Sequence, residues 1–200
     1  MKRARSRGAA PLVGVLALQG DFREHLTVMR RLGARTREVR LPEELVGLDA
    51  IVIPGGESTT IGKLAMRFGL FEPLREMIGI GLPTYGTCAG LIFCSMALTA
   101  GEQPLLGVLD VVVERNAFGR QNESFETPLD IEGLDQPFHG VFIRAPWVAK
   151  VGNGVEVLAT VDEHPVMVRQ GNILGTSFHP ELTADDRIHG MLLELIPRSV

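Results

Sequence analysis

The sequence contains little cysteine, no long apolar run and no excess of basic residues. Its two cysteines, Cys88 and Cys94, are too few for a disulfide framework, which favours a protein of the reducing cytoplasm. No apolar run approaches the roughly 20 residues that a membrane-spanning helix requires. The formal net charge of −4 argues against nucleic acid as a partner, because phosphate binding needs a basic surface. We therefore expect a cytoplasmic protein that binds neither membranes nor nucleic acid.

The chain is long enough for one domain with a hydrophobic core. It has 200 residues, of which 45% are hydrophobic and 22% are charged, a balance typical of globular proteins. The basic start of the chain lacks the apolar segment of a secretory signal. We predict a disordered extension over residues 1–12 and a single domain over residues 13–200.

The order of the apolar segments predicts an α/β fold. Short apolar runs typical of buried strands alternate with segments of helical periodicity in the first half, and one predicted helix covers the whole of A-G-L-I-F-C-S-M-A-L. Strand-like segments follow one another in the second half, before a final helix that Thr183 and Asp186 would begin as a capping box. We predict three layers: a mainly parallel sheet, helices on both its faces, and added antiparallel strands.

Cys88 lies between small residues in G-T-C-A-G, where an apolar run meets a predicted helix. This pattern is the cysteine form of a nucleophile elbow, a strand-to-helix turn too tight for large neighbours. The free N–H groups at the start of the helix would favour the reactive thiolate. A buried structural cysteine is the alternative that this segment leaves open. Cys94 has no such surroundings, and we interpret it as a core residue.

His179 has the best surroundings for a catalytic base among the five histidines. It follows a predicted strand in S-F-H-P-E-L, and in an extended segment Glu181 would lie on the same side and orient its ring. With Cys88 the two residues make a predicted Cys-His-acid triad. The other histidines lie in helical patterns or at turns, and we expect them to be solvated or packed rather than catalytic: His25, His139, His164 and His189.

Two adjacent glycines, Gly55 and Gly56, follow an apolar strand in P-G-G-E-S-T-T. Backbone N–H groups at such a turn can face a ligand, as an oxyanion hole requires, although an ordinary tight turn has the same composition. The carboxyl ends of parallel strands are also where open α/β sheets bind ligands. A phosphate loop does not fit, because Gly62 is wrongly spaced and Leu64 stands where Ser or Thr would hold magnesium. No residues have the spacing of metal ligands.

Taken together, P-G-G-E-S, G-T-C-A-G and F-H-P-E resemble the triad-type, class I glutamine amidotransferases. Further segments, L-Q-G-D-F-R-E-H, E-R-N-A-F-G-R-Q-N-E-S-F-E and G-V-F-I-R-A-P, make the chain similar from about Val13 onward to the glutaminase subunits of pyridoxal 5′-phosphate synthases. The resemblance implies the fold of that class. It also implies that Cys88 attacks the side-chain amide of L-glutamine, that His179 transfers protons, and that Glu181 orients His179.

The resemblance also implies how substrate and oxyanion are held. The oxyanion would lie against three backbone positions: Gly55, Gly56 and Ala89. Glutamine would lie against six positions: Gly56, Glu57, Ser58, Arg115, Ile143 and Arg144. Of the two arginines, Arg144 is the stronger expectation, because an inward arginine in an apolar segment needs a partner, and Glu57 is a candidate.

The implied partner is the synthase (lyase) subunit of a hetero-oligomeric complex. It would receive the ammonia, and its docking would activate the glutaminase by reorienting the Gly55–Gly56 turn. No cofactor is implied, since pyridoxal phosphate would be the product of the complex. Three alternatives remain: a glutaminase that feeds another acceptor, a Cys-elbow hydrolase of the protease and deglycase type, and a catalytically silent docking subunit. The H-P-E segment at the end of a late strand counts against the hydrolase, and the three triad residues count against silence.

Overall fold

The computed structural model describes residues 9–118 and 124–197 of the chain. The strands are β1 Leu12–Leu16, β2 Arg35–Val39, β3 Ala50–Ile53, β4 Thr84–Thr87, β5 Ser95–Leu98, β6 Leu109–Glu114, β7 Ser124–Leu129, β8 Phe138–Ile143, β9 Trp147–Val151, β10 Glu156–Val161, β11 His164–Gln170 and β12 Ile173–Thr176. The α-helices are α1 Phe22–Arg31, α2 Ser58–Arg67, α3 Phe71–Gly79, α4 Ala89–Cys94 and α5 Arg187–Glu194, and two 3-10 helices cover Pro42–Leu45 and Pro180–Leu182. Residues 119–123, part of one family-like segment, lie outside the description, as do most of residues 1–12.

A seven-stranded sheet forms the centre of the molecule, in the order β10-β11-β12-β4-β3-β1-β2. The five strands from β12 to β2 are parallel, while β11 runs antiparallel to both of its neighbours. The carboxyl ends of β1, β3, β4 and β12 therefore meet at one edge. The chain leaves these four strands toward Gln19, Gly55, Cys88 and His179, so the topology gathers the four segments at that edge.

Strands β1 and β3 are buried on both faces, which explains their continuous apolar runs, whereas the edge strand β2 (R-T-R-E-V) is partly exposed. In β3, for example, Ile51 and Ile53 enter one core cluster while Ala50 and Val52 enter the other. Helices α2, α3 and α4 cover the first cluster, and helices α1 and α5 cover the second. The predicted three-layer α/β fold is confirmed. No helix in the described ranges is long and apolar enough to cross a membrane.

The second half of the chain adds smaller sheets as well as the expected antiparallel strands. Strands β5, β6 and β9 form one sheet on the side of the first cluster, and the hairpin β7–β8 packs onto the second cluster. Strands β5, β7 and β9 are not predicted from the sequence. Strand β7 in particular has an alternating, half-exposed pattern with Pro128 near its end, which conceals it as a strand.

The predicted helix through residues 89–98 is wrong in its second half. Helix α4 ends at Cys94, and the following residues form strand β5, which pairs in parallel with β6. The Ser95 hydroxyl donates a hydrogen bond to the Ile92 carbonyl (2.7 Å), a local side-chain contact that competes with helix continuation. Sheet pairing to β6 then decides the conformation of the apolar residues beyond.

The predicted capping box of the last helix is also wrong. Helix α5 begins at Arg187, and its N-cap residue Asp186 makes no side-chain capping bond to the helix backbone. Thr183 instead ends the 3-10 helix, where its hydroxyl donates to the Pro180 carbonyl (2.9 Å). The side chain of Asp186 is occupied by an ion pair with Arg31, which joins α5 to α1.

Candidate active site

Cys88 occupies the turn between β4 and α4 in a conformation rare for a residue with a side chain. Its backbone angles are φ 47° and ψ −101°, and its N–H donates to the Thr176 carbonyl of β12 (2.7 Å). The residues after Cys88 pack closely against β3, because a Cβ atom at Gly90 would overlap the carbonyl of Ile53. Strained backbone at the tip of a strand-to-helix turn is the geometry of a nucleophile elbow. The thiol is 8% exposed, so only a small ligand-facing surface is open.

His179 follows β12 and contacts both of the residues predicted to act with it. Its Nδ1 atom lies 2.7 Å from Oε1 of Glu181, and its ring interacts electrostatically with Cys88. Burial alone would lower the pKa of His179, but its interactions with Cys88 and Glu181 outweigh that effect and raise the pKa to about 10. The imidazolium is therefore stabilised between a thiol and a carboxylate.

Glu181 reaches His179 by a different local structure from the one predicted. The segment is not extended: Glu181 lies in the 3-10 helix Pro180–Leu182, for which His179 is the N-cap residue. The tight turn brings the carboxylate back onto the ring, so the expected contact forms without the strand alternation. Burial raises the pKa of Glu181, and His179 offsets part of that rise. Its second oxygen, Oε2, is buried and has no hydrogen-bond partner among the described residues.

The Gly55–Gly56 turn lies directly against the ring of His179. A Cβ atom at Gly55 would come within 2.5 Å of Cε1 of His179, so the close approach requires glycine. Gln19, in the loop after β1, accepts a hydrogen bond from the N–H of Glu57 (2.6 Å) and so holds the far end of the turn. Ala89, the third predicted oxyanion position, follows Cys88 directly as the first residue of α4.

The side chain of Glu57 begins helix α2 and pairs with Arg115. Its oxygens accept from the N–H groups of Thr59 (3.1 Å) and Thr60 (2.7 Å), and Nη2 of Arg115 lies 3.3 Å from Oε1. Gln103 joins the group, because its Oε1 accepts from Arg115 (3.1 Å) and from the buried Ser58 hydroxyl (3.1 Å). Three of the predicted glutamine-binding residues thus form one polar cluster.

The other predicted binding positions, Ile143 and Arg144, lie at the end of β8. Ile143 is 36% exposed, and Arg144 is exposed with φ 43°. The expected pairing of Arg144 with Glu57 is wrong: within the described residues the cation that pairs with Glu57 is Arg115. Alternate residues of β8, such as Phe142, are buried, which accounts for the apolar segment. Arg144 comes after the strand, and its positive φ takes it out of this alternation to an exposed position.

Sequence reasoning missed Gln103 and the two buried histidines behind Glu181. Gln103 lies in a loop that carries no recognisable pattern, so nothing in the sequence could have identified it. His25 and His189 are fully buried and therefore packed, not solvated. A signal for His25 was present, because it shares the helical spacing of Leu26 and Met29 on the apolar face of α1.

A third carboxylate, Asp21, lies close to His179 and Glu181. One donor atom from each of the three residues falls within 4.8 Å of the others, which is a spacing that a metal ion could use. The Nδ1 of His179 and the Oε1 of Glu181 are already engaged with each other, however. The cluster fits proton transfer and charge stabilisation better than metal binding.

Comparison with known proteins decides the family. The sequence profile of the SNO glutamine amidotransferase family matches residues 15–197. The chain belongs to the SNO glutamine amidotransferase family. Two relatives called pyridoxal 5′-phosphate synthase subunit PdxT are similar to it over nearly their whole length. The protein from Parafrankia sp. is 58% identical, with 94% of each chain covered, and that from Thermus thermophilus is 59% identical, with 92% of this chain and 97% of that protein covered.

Solved structures share the fold of this chain. A crystal structure titled as a glutamine amidotransferase has a TM-score of 0.88 at 57% identity, with 92% of this chain and 98% of that chain covered. A putative GMP synthase subunit from Thermoplasma acidophilum has a TM-score of 0.70 at 18% identity, with 95% and 96% covered. That second likeness shows the fold alone.

Proposed function

We propose that this chain hydrolyses L-glutamine to L-glutamate and ammonia through Cys88, His179 and Glu181, and supplies the ammonia to a pyridoxal 5′-phosphate synthase. The observation that carries the proposal is the buried His179–Glu181 pair, whose imidazole interacts with Cys88 at the strained elbow. Membership of the family and the PdxT relatives support glutamine as the substrate and vitamin B6 synthesis as the pathway.

The chemistry proceeds in two halves on one sulfur atom. The Cys88 thiolate attacks the amide carbon of glutamine, and His179 gives a proton to the departing nitrogen, which leaves as ammonia. The γ-glutamyl thioester is then attacked by water, from which His179 takes a proton. Collapse of this second intermediate releases glutamate and restores Cys88. Glu181 keeps the ring of His179 in one tautomer and stabilises its charged form throughout.

Backbone groups around Cys88 stabilise the charge that develops on the amide oxygen. The proposed donors are the N–H groups of the Gly55–Gly56 turn and of Ala89. Removing one such donor commonly lowers kcat by ~10²–10³-fold. The position of the turn therefore has a large influence on rate, and docking of the synthase subunit would act on it.

Glutamine itself carries a carboxylate and an ammonium group, which the polar cluster beside the turn can bind. Arg115 suits the carboxylate and Glu57 the ammonium. Gly56, Ser58 and the chain at Ile143–Arg144 complete the proposed binding site. Arg115 and Glu57 pair with each other (3.3 Å), and glutamine would replace this contact with contacts of its own.

The proposed partner is the synthase (lyase) subunit of a hetero-oligomeric complex in the cytoplasm, which uses the ammonia to build pyridoxal phosphate. The chain itself would hold no cofactor. A subunit of this kind needs a path for ammonia to the partner, because free ammonia is protonated and lost in water.

Glutamate release from L-glutamine tests the proposal, measured on the purified chain alone and with the synthase subunit of the same organism. We expect activity that rises when the synthase is added and disappears in Cys88→Ala. The matched control is Cys94→Ala, whose buried thiol is remote from the chemistry and should leave kcat unchanged. Activity in Cys88→Ala equal to that of the wild type would contradict the proposed nucleophile. Absence of activity in every mixture would instead favour a silent docking subunit.

A further inference from the structure

Two histidines that the proposed reaction does not use lie directly behind the triad. His25 comes from α1 and His189 from α5, and both side chains are fully buried between these helices and the sheet. Nδ1 of His25 lies 2.8 Å from Nε2 of His189. Tyr85 of β4 packs edge-on against both rings, with centroids 6.3 and 5.5 Å away. Buried polar pairs of this kind are uncommon unless they are satisfied, so the pair requires an explanation.

The other ring nitrogen of His25 faces the triad. Nε2 of His25 lies 3.6 Å from Oε1 of Glu181, the same oxygen that contacts His179, and 3.4 Å from the hydroxyl of Thr87. Thr87 immediately precedes the nucleophile Cys88. His25 therefore contacts the acid of the triad and the strand that ends at its nucleophile.

The tautomers of the two histidines follow from these neighbours. One proton lies between Nδ1 of His25 and Nε2 of His189. If it belonged to His25, a bare lone pair would face the Glu181 carboxylate, and His189 would bury an N–H at Nδ1, which has no partner among the described residues. If it belongs to His189, His25 presents an N–H to Glu181, and only an acceptor is left unpaired. The second assignment is favoured, because buried unpaired donors are rarer than unpaired acceptors.

Both rings are neutral at physiological pH, as this assignment requires. Burial, with the nearby His189 and His179, lowers the pKa of His25 well below its ordinary value. Burial likewise lowers the pKa of His189 to about 4, although Asp186 opposes the effect. Each ring therefore carries one proton, and the direction of the shared hydrogen bond is fixed by the groups around it.

We propose that His25 is a positioning residue of this active site: its Nε2–H holds the Glu181 carboxylate in place behind His179, and His189 fixes the tautomer that makes this possible. Few other groups hold this carboxylate: its side chain is 0% exposed, its Oε1 lies beside His179 and His25, and its Oε2 has no partner among the described residues. The inference rests on the proposed glutaminase function.

Steady-state kinetics of three His25 and His189 variants test the inference, in the complex with the synthase subunit. We expect His25→Leu to lower kcat about tenfold with KM within about twofold, because one dipole directed at a charged group is lost. The alkaline limb of the kcat/KM profile should move to lower pH, since a loosened Glu181 stabilises the His179 imidazolium less. His25→Gln, whose amide can place an N–H near the position of Nε2, should recover most of both effects. His189→Leu should also lower kcat and move the alkaline limb to lower pH, but by smaller amounts.

The controls separate this inference from the proposed function and from misfolding. His139→Leu removes an exposed histidine and should leave kcat and the pH profile unchanged. Wild-type activity that depends on Cys88 establishes the glutaminase independently of His25. If His25→Leu does not fold, the double variant His25→Leu/His189→Leu removes both polar partners together, an exchange that costs little stability. A folded single or double variant with wild-type kcat and an unshifted alkaline limb, or with a limb moved to higher pH, overturns the inference.

Discussion

The two sides of the site are built differently. The buried side consists of Cys88, His179, Glu181, His25 and His189. The exposed side consists of Glu57, Gln103, Arg115, Ile143 and Arg144. The side chains of His179 and Glu181 are 5% and 0% exposed, whereas those of Arg115 and Glu57 are 38% and 49% exposed. The groups proposed to react are thus held by buried contacts, whereas two of the groups proposed to bind glutamine pair with each other at the surface.

This difference has an energetic basis. Buried hydrogen bonds among charged groups are strong and fix geometry, because water does not compete with them. Exposed ion pairs contribute little and break easily. We therefore expect substitutions on the buried side to act on kcat and those on the exposed side to act on KM.

The largest effect is expected for Glu181→Gln. The amide keeps the shape of the side chain but removes the charge that stabilises the His179 imidazolium, so kcat should fall by about 10³–10⁴-fold, as for the corresponding change in other triads. Glutamate release measures it. Glu126→Gln is the matched control, since Glu126 also lies 2.7 Å from a histidine, His139, but at the surface. Equal losses in the two variants would remove the distinction between buried and exposed pairs.

A smaller but still large effect is expected for Gly55→Ala. The added methyl group would lie 2.5 Å from Cε1 of His179, so the turn or the ring must move, and kcat should fall by about 10²–10³-fold. Gly79→Ala adds the same group at the end of α3, where a Cβ atom meets nothing within 4 Å. That control should retain full activity. Normal turnover in Gly55→Ala would show that the His179 ring or the Gly55–Gly56 turn can move without loss of activity.

The buried histidines should make the fold sensitive to acid. Folding lowers the pKa of His189 from its ordinary value of 6.5 to about 4. Between these two pH values His189 is protonated in the unfolded chain but neutral in the folded chain. Stability is therefore full above pH 6.5 and is lost as pH falls toward 4, by about 3 kcal/mol for this residue. His25, whose pKa is lowered by burial and by His189, adds to the loss.

Urea unfolding of the wild type and of His25→Leu/His189→Leu between pH 7 and 4 measures this contribution. The double variant lacks both groups, so its free energy of unfolding should fall less on acidification. Parallel pH dependences would mean that the histidines protonate equally in the folded and unfolded chains, and the two rings would not be buried as neutral groups.

The smallest effect is expected on the exposed side. Arg115→Ala should raise KM for glutamine about tenfold with kcat nearly unchanged, because the lost contact binds substrate and transition state alike. Arg144→Ala should raise KM by about twofold, since an exposed cation contributes weakly. Steady-state kinetics of the two variants, measured side by side, rank them. A larger effect at Arg144 would mean that the β8 end closes over the substrate.

Much of the fold follows from local patterns. Strands β1 and β3 are continuous apolar runs because helices cover both faces, and this makes them predictable from the sequence. Strands such as β7 and β5 are not readable, because their pairing partners decide them. The wrong extension of α4 has the same cause: Ser95 begins a strand that only β6 stabilises.

The triad candidates could be predicted because their chemistry requires particular neighbours. Small residues must flank Cys88, and an acid must lie within reach of His179, even though a 3-10 helix and not a strand supplies the contact. His25 could not be assigned a role, since its partners Glu181 and His189 lie more than a hundred residues further along the chain. The inward position expected for Arg144 is wrong because this residue lies just beyond β8 with a positive φ, a turn that the apolar sequence around it does not reveal.

The close contact between Gly90 and the carbonyl of Ile53 has a mechanical consequence. The backbone of α4 at Gly90 packs directly against the carbonyl of Ile53, the last residue of β3, because Gly90 has no side chain to separate them. This contact holds Cys88, two residues before Gly90, beside the end of β3. We expect it to keep the Cys88 sulfur in place if docking of the proposed synthase subunit moves the Gly55–Gly56 turn.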